Sequence, residues 1–142
     1  MGNICVITGG GSGMGLEVAK IVGKDMKVIL TGRTVAKLDN AIKELNALGI
    51  EAEAYPCDVS DQGSVDKLAA YAAGQGIVKV LIHAAGVSPH MASAEQIFVI
   101  NAVGTIYVDK AFAKVMEAGS VILNVSSMSA YMLPADRVPK QV

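Results

Sequence analysis

Four short runs rich in β-branched residues, Asn3 to Thr8, Met26 to Thr31, Ile77 to His83 and Ser120 to Val125, are apolar on both faces and alternate with longer segments of helical period. A strand without a polar face must be covered on both sides, so the alternation leaves few architectures open. Val35, Leu38, Ile42, Leu45 and Leu48 step by three and four residues, as do Val65, Leu68 and Ala72, which marks amphipathic helices. A third, weaker strand is read at Glu51 to Pro56. A longer helix is read from Met91 to Ala118, with Ile97, Ile100, Gly104, Val108, Ala111, Phe112 and Val115 on its apolar side and Asn101 and Gly104 interrupting its character. Five strands joined by helices of this length build right-handed βαβ units around a parallel sheet, an α/β fold.

Local signals support these boundaries. Thr34 can cap the helix that begins at Val35, Ser60 or Asp61 can cap the one leading into Val65, and Gly49 stands where a left-handed residue closes the second helix. No repeat of fixed period and no Pro/Gly/Ser linker divides the chain, so residues 1–142 are read as one domain. The tail from Ser126 lacks periodicity, and Pro134, Asp136, Arg137 and Pro139 read as loop.

Composition narrows the function classes. Of 142 residues 52% are hydrophobic, enough for a core, and 12 Lys plus Arg against 13 Asp plus Glu leave no basic footprint for nucleic acid or anionic lipid. Lys20, Lys27, Lys43, Lys79, Lys110 and Lys114 break every apolar stretch below the about 18 residues a membrane helix requires. No secretory leader is legible at Met1, so the expected address is the cytoplasm, where Cys5 and Cys57 remain thiols.

Thr8-Gly9-Gly10-Gly11-Ser12-Gly13-Met14-Gly15 follows the first strand directly and opens the first helix. Residues without Cβ let backbone approach a pyrophosphate, and the helix N-terminus behind them offers free N–H groups and positive dipole. The spacing resembles the Thr-Gly-x-x-x-Gly-x-Gly variant of the short-chain dehydrogenase/reductase family, with Gly9, Gly13 and Gly15 in the motif positions. Further marks match that family: Asp58-Val59 after the third strand, Ala85-Gly86 after the fourth, Asn101 in the fourth helix, and Asn124-Val125-Ser126-Ser127 at the end of the fifth. The resemblance implies a Rossmann-like doubly wound parallel sheet of order 3-2-1-4-5, with Gly9, Ser12, Gly13, Met14, Gly15, Asp58, Val59, Ala85 and Gly86 around a nicotinamide dinucleotide. Asp58 would meet the adenine edge, Val59 its face, and Ala85 and Gly86 would leave room for the ribose.

The end of the second strand discriminates between cofactors. NAD asks for an acid there to accept from the ribose 2′-hydroxyl, whereas a 2′-phosphate asks for a cation. The sequence reads Leu30-Thr31-Gly32-Arg33-Thr34, so Arg33 can form a fork to the phosphate while Thr34 adds a hydroxyl, and NADP(H) is the expected cofactor. The other reading of Arg33 is a solvated charge at a helix start. His83 stands where the family commonly has Asn, either as a brace within the sheet or in proton transfer.

Family catalysis uses a Tyr-x-x-x-Lys pair, a Ser and an Asn; Ser127 matches the Ser, with Ser126 as its neighbour candidate, and Asn101 matches the Asn. No metal is implied. None of Tyr55, Tyr71, Tyr107 or Tyr131 has Lys four positions on, nor does the motif occur around Pro139, Lys140 and Gln141. Three explanations compete: an N-terminal portion whose Tyr and Lys lie beyond Val142, a module that lost catalysis, or a misaligned tail. The first is favoured. The expectation is an NADP(H)-dependent oxidoreductase of a small carbonyl or secondary alcohol, a homodimer or homotetramer. The alternative is a non-catalytic NADP(H)-binding sensor or scaffold.

Overall fold

A computed structural model describes residues 2–132, Pro134 and Asp136. Five parallel strands, β1 (Asn3–Thr8), β2 (Lys27–Thr31), β3 (Ala52–Ala54), β4 (Ile77–His83) and β5 (Val121–Asn124), form one sheet in the order 3-2-1-4-5. Helices α1 (Gly13–Val22), α2 (Val35–Ala47) and α3 (Gln62–Gln75) connect the first four strands. The fold is the expected Rossmann-like doubly wound sheet.

Alternation along each strand explains the two layers. Ile4 and Val6 of β1 pack with Val65, Leu68, Val108 and Phe112 on one face, while Cys5 and Ile7 pack with Ala19, Leu38, Ala41 and Leu45 on the other. Both faces of β1 are thus apolar because each has its own helical cover. Both cysteines are buried free thiols, and burial pushes Cys5 up to about 12, which keeps it protonated and inert.

Four expectations are corrected. The helix expected over Met91 to Ala118 is two segments, α4 (Ala94–Phe98) and α5 (Gly104–Ala113), joined by a π-helical turn at Val99–Val103. Its start is set by Ser93, whose hydroxyl accepts from the Gln96 amide while the Gln96 side chain accepts from the Ser93 amide. Asn101 lies within the π turn and Gly104 at its end, the two positions where the sequence breaks helical character. The third strand shrinks to Ala52–Ala54, although Glu51 and Tyr55 still bond to β2 at either end. Thr34 occupies the N-cap position of α2 but its hydroxyl makes no capping bond, whereas Asp61 caps α3 by accepting from the Ser64 amide. The tail is not uniformly loop, since Met128–Tyr131 forms a 3₁₀ turn; Arg137 and Pro139 lie outside the described residues.

β5 is exposed along its whole length among the described residues. Val121 is 54% and Leu123 48% exposed, so a strand apolar on both faces carries little cover there. No helix among the described residues is long and apolar enough to cross a membrane.

Candidate functional site

The strand register lines up Thr31, Thr8, His83 and Asn124 across the carboxyl end of the sheet. Four apolar strands therefore finish on a polar row, and the crevice between β1 and β4 is where the strand order reverses, the usual ligand position in such sheets.

The glycine loop rises from that row. Gly9 has φ +67° and packs so closely on the β4 loop that a Cβ would stand 2.8 Å from the Ala85 nitrogen; a Cβ on Gly15 would run into the Gly9 carbonyl. Gly13, at φ +57°, instead faces open space. Gly9 and Gly15 thus hold the loop against the sheet, while Gly13 leaves its outer side clear at the start of α1. Ser12 is the N-cap of α1 with no capping bond from its side chain, and no acidic residue occupies the first turn, so the helix end is open to an anion.

Beside the loop lies a cleft of about 130 Å³, bordered by Gly9, Arg33, Asp58, Val59, Ala85 and Gly86. Thr31 also borders it, fully buried, with its side chain against the buried Cys57 thiol. Asp58 is fixed by its own turn, with Oδ1 accepting from the Ser60 amide at 3.0 Å and from the Ser60 hydroxyl at 2.6 Å. Arg33 also borders an adjoining recess with Ser12, Thr34 and Lys37. Sequence reasoning missed Lys37, which stands in the first turn of α2 while Arg33 lies in the loop before the Thr34 cap. Two cations at the N-terminal end of α2, where no acidic residue occupies the first turn, oppose the helix dipole by about 0.3–1 kcal/mol each unless an anion joins them. Among the described residues neither is in an ion pair.

A second cavity opens on the other side of β4, bordered by Gly86, Asn101, Thr105, Ser126 and Ser127. Asn101 is locked to the β4 loop: its Nδ2 donates to the Val87 carbonyl and its Oδ1 accepts from the Val87 amide, both at 2.9 Å. Ser127 Oγ accepts from the Ser129 amide at 3.2 Å and lies 2.7 Å from the Ser129 hydroxyl, so it caps the 3₁₀ turn while it borders the cavity.

The sequence matches the short chain dehydrogenase family over residues 3–138. This chain belongs to the short chain dehydrogenase family. It is 31% identical over 138 residues to the galactitol 2-dehydrogenase (L-tagatose-forming) of Cereibacter sphaeroides, covering 90% of this chain and 54% of that protein. Against short-chain dehydrogenase/reductase bsc3 of Alternaria brassicicola the values are 30% over 131 residues, 92% and 47%. The chain thus spans about half the length of these curated relatives. Among solved structures it resembles an actinorhodin polyketide ketoreductase with NADPH, at TM-score 0.81 and 28% identity over 91% of this chain and 54% of that one. A metagenomic short-chain oxidoreductase in complex with NADP gives 0.79 and 32%, over 89% and 63%.

Within this short-chain dehydrogenase chain, the sequence-derived residues divide between the two openings. Gly9, Ser12, Arg33, Thr34, Asp58 and Val59 border the cleft and its recess, Ser127 and Asn101 border the second cavity, and Ala85 and Gly86 border both. Gly13 and Gly15 act through the loop. Met14 is 61% exposed on α1 and borders neither cleft nor cavity.

His83 is the brace, 3% exposed, with both ring nitrogens in hydrogen bonds, to Thr8 and Thr105. Burial lowers its pKa below the ordinary 6.5, against a smaller opposing pull from Asp109 on α5. The stability this ring contributes is complete above about pH 6.5 and is lost as the pH falls from there through the lower folded value, because the unfolded chain takes up the proton first. Denaturant midpoints at pH 8 and pH 5 are expected to fall less in His83→Asn than in the unsubstituted protein.

Proposed function

We propose that this chain is the cofactor-binding part of an NADP(H)-dependent oxidoreductase that reduces a carbonyl or oxidises a secondary alcohol. The observation that carries the reading is the recess where Arg33 and Lys37 meet the free hydroxyls of Ser12 and Thr34 beside the glycine loop. A dianionic 2′-phosphate satisfies both cations and the helix end together, whereas a neutral ribose 2′-hydroxyl leaves the charges uncompensated. Family membership and the NADP-bearing structural relatives point the same way.

In this reading Ser12, Gly13 and the backbone of Met14 take the pyrophosphate on the loop that Gly9 and Gly15 hold to the sheet, Arg33, Thr34 and Lys37 take the 2′-phosphate, and Asp58, Val59, Ala85 and Gly86 the adenosine. The bound nicotinamide supplies hydride transfer. Ser127 would orient the carbonyl by hydrogen bonding once its hydroxyl turns from Ser129, and Asn101 shapes the adjoining loop. The relatives are about twice as long as this chain, and the proton donor of this reading, a Tyr with a Lys four residues on, is not found among residues 1–142. The assembly is a cytoplasmic homodimer or homotetramer, for which Phe98 and Ile106, each 50% exposed along α4 and α5, offer contact surface.

The test is turnover. The full-length protein is expected to oxidise NADPH with a carbonyl substrate from a panel of ketones, sugars and acyl thioesters, and Ser127→Ala to lower kcat about 10²- to 10³-fold through loss of a donor to the developing oxyanion. Tight NADPH binding without turnover of any carbonyl or alcohol would instead establish the sensor.

A further inference from the structure

The hydrogen bonds around His83 run in one direction. The Ala85 amide donates to Thr8 Oγ1 at 3.1 Å, so the single Thr8 hydroxyl hydrogen is free to donate to His83 Nδ1 at 2.7 Å. At the far side Thr105 Oγ1 donates to the Asn101 carbonyl at 2.8 Å and therefore accepts from His83 Nε2–H at 3.0 Å. Each hydroxyl has one hydrogen, which makes the ring the neutral Nε2–H tautomer. The ends of this series are functional walls: Ala85 packs on Gly9 in the cleft, and Asn101 holds both polar backbone groups of Val87 at the second cavity.

We propose that His83 is a positioning residue that couples the glycine loop to the Asn101 turn, its neutral ring holding the two in the arrangement that takes the cofactor and its protonated ring reversing the bond on the glycine-loop side while it keeps the bond to Thr105. A doubly protonated ring donates at Nδ1 as well, so the Thr8 hydroxyl hydrogen must turn away and Thr8 Oγ1 accepts from the ring and the Ala85 amide together, which shifts its bond to that amide, while the charged ring donates more strongly from Nε2 to Thr105. Of the elements against the ring, β1 contributes Thr8, the π turn Asn101 and β5 Asn124, none of them titratable; Asp109 on α5 is the charged group that acts on it, and its Oδ2 already accepts from the Asn124 side chain at 2.8 Å. Burial and the acceptor role of Nδ1 both favour the neutral ring, so the reversal belongs to acid pH.

The proposal rests on the NADP(H) reading only where affinity is the readout, and the test separates the two. Full-length ¹⁵N-labelled protein is titrated from pH 8 to pH 5 by NMR, and NADP⁺ affinity is measured over the same range. The expected result is an Nε2–H ring at neutral pH, with the Ala85 and Val87 amide signals moving in step with the His83 titration. Thr105→Val is expected to keep the Ala85 response and lose that of Val87. NADP⁺ affinity is expected to fall about five- to tenfold more between pH 7 and pH 5 in the unsubstituted protein than in His83→Asn, the effect of one hydrogen bond. The 2′-phosphate titrates near pH ~6 in both proteins, so the comparison removes it. An Nδ1–H ring, or amides indifferent to its titration, would overturn the proposal, as would pH profiles that coincide. Should neither protein bind NADP⁺ at any pH, the cofactor reading fails while ring and amide signals still decide the coupling; should His83→Asn not fold, Thr105→Val and the unsubstituted protein decide it.

Discussion

Replacing Arg33 by alanine is expected to weaken NADPH binding about 10- to 100-fold while NADH binding changes by less than about twofold, because a charge-assisted hydrogen bond contributes roughly 1.5–3 kcal/mol. Arg33 is exposed and borders both the cleft and the recess, so its removal leaves the core untouched. Lys37→Ala should show a smaller loss with the same selectivity, since a Lys offers a point charge rather than a planar fork. The double substitution should approach the NADH affinity and gain slightly in stability, as two cations leave a helix N-terminus. Isothermal titration with both cofactors reads the effect. Equal losses for NADPH and NADH would mean that Arg33 shapes the cleft without reading the phosphate.

The second large effect separates two glycines that the motif treats alike. Gly9→Ala combines a left-handed φ with a Cβ 2.8 Å from the Ala85 nitrogen and 2.9 Å from the Ala84 carbonyl, all backbone atoms that cannot turn aside. Left-handed strain of about 1–2 kcal/mol and overpacking of about 1–3 kcal/mol predict a loss of roughly 2–5 kcal/mol in unfolding free energy. Gly13→Ala bears only the first of these, because its Cβ enters open space. That space is where the pyrophosphate is placed, so Gly13→Ala is expected to lose at most about 2 kcal/mol of stability and yet to bind NADPH at least tenfold more weakly. Denaturant unfolding with cofactor titration on each variant checks the contrast. A Gly13→Ala protein with unchanged affinity would remove the pyrophosphate from that position.

The strands were legible because β1, β2 and β4 are apolar on both faces and each face finds a helix, whereas their order came from the resemblance of the motifs to the short-chain dehydrogenase/reductase family. The glycine loop was equally legible, since a strand must end and a helix begin within its few residues. The π turn at Val99–Val103 was only half visible: Asn101 and Gly104 marked a break, but the extra residue in the turn depends on Asn101 reaching across to Val87. Lys37 was missed because a lysine in a helix reads as solvated surface until Arg33, Ser12 and Thr34 are seen around one recess. The roles of Thr8 and Thr105 were hidden for a similar reason, as their partner His83 lies 75 and 22 residues away in the chain. Ser127 was singled out by motif, and the motif does not show its hydroxyl engaged with Ser129.

The central claim is that the recess beside the glycine loop reads a 2′-phosphate. A paired titration of the full-length protein with NADPH and NADH at one ionic strength tests it most directly. NADPH bound at least about tenfold more tightly, the effect of a single charge-assisted fork, is the predicted result; NADH bound as tightly as NADPH, or more so, would contradict it.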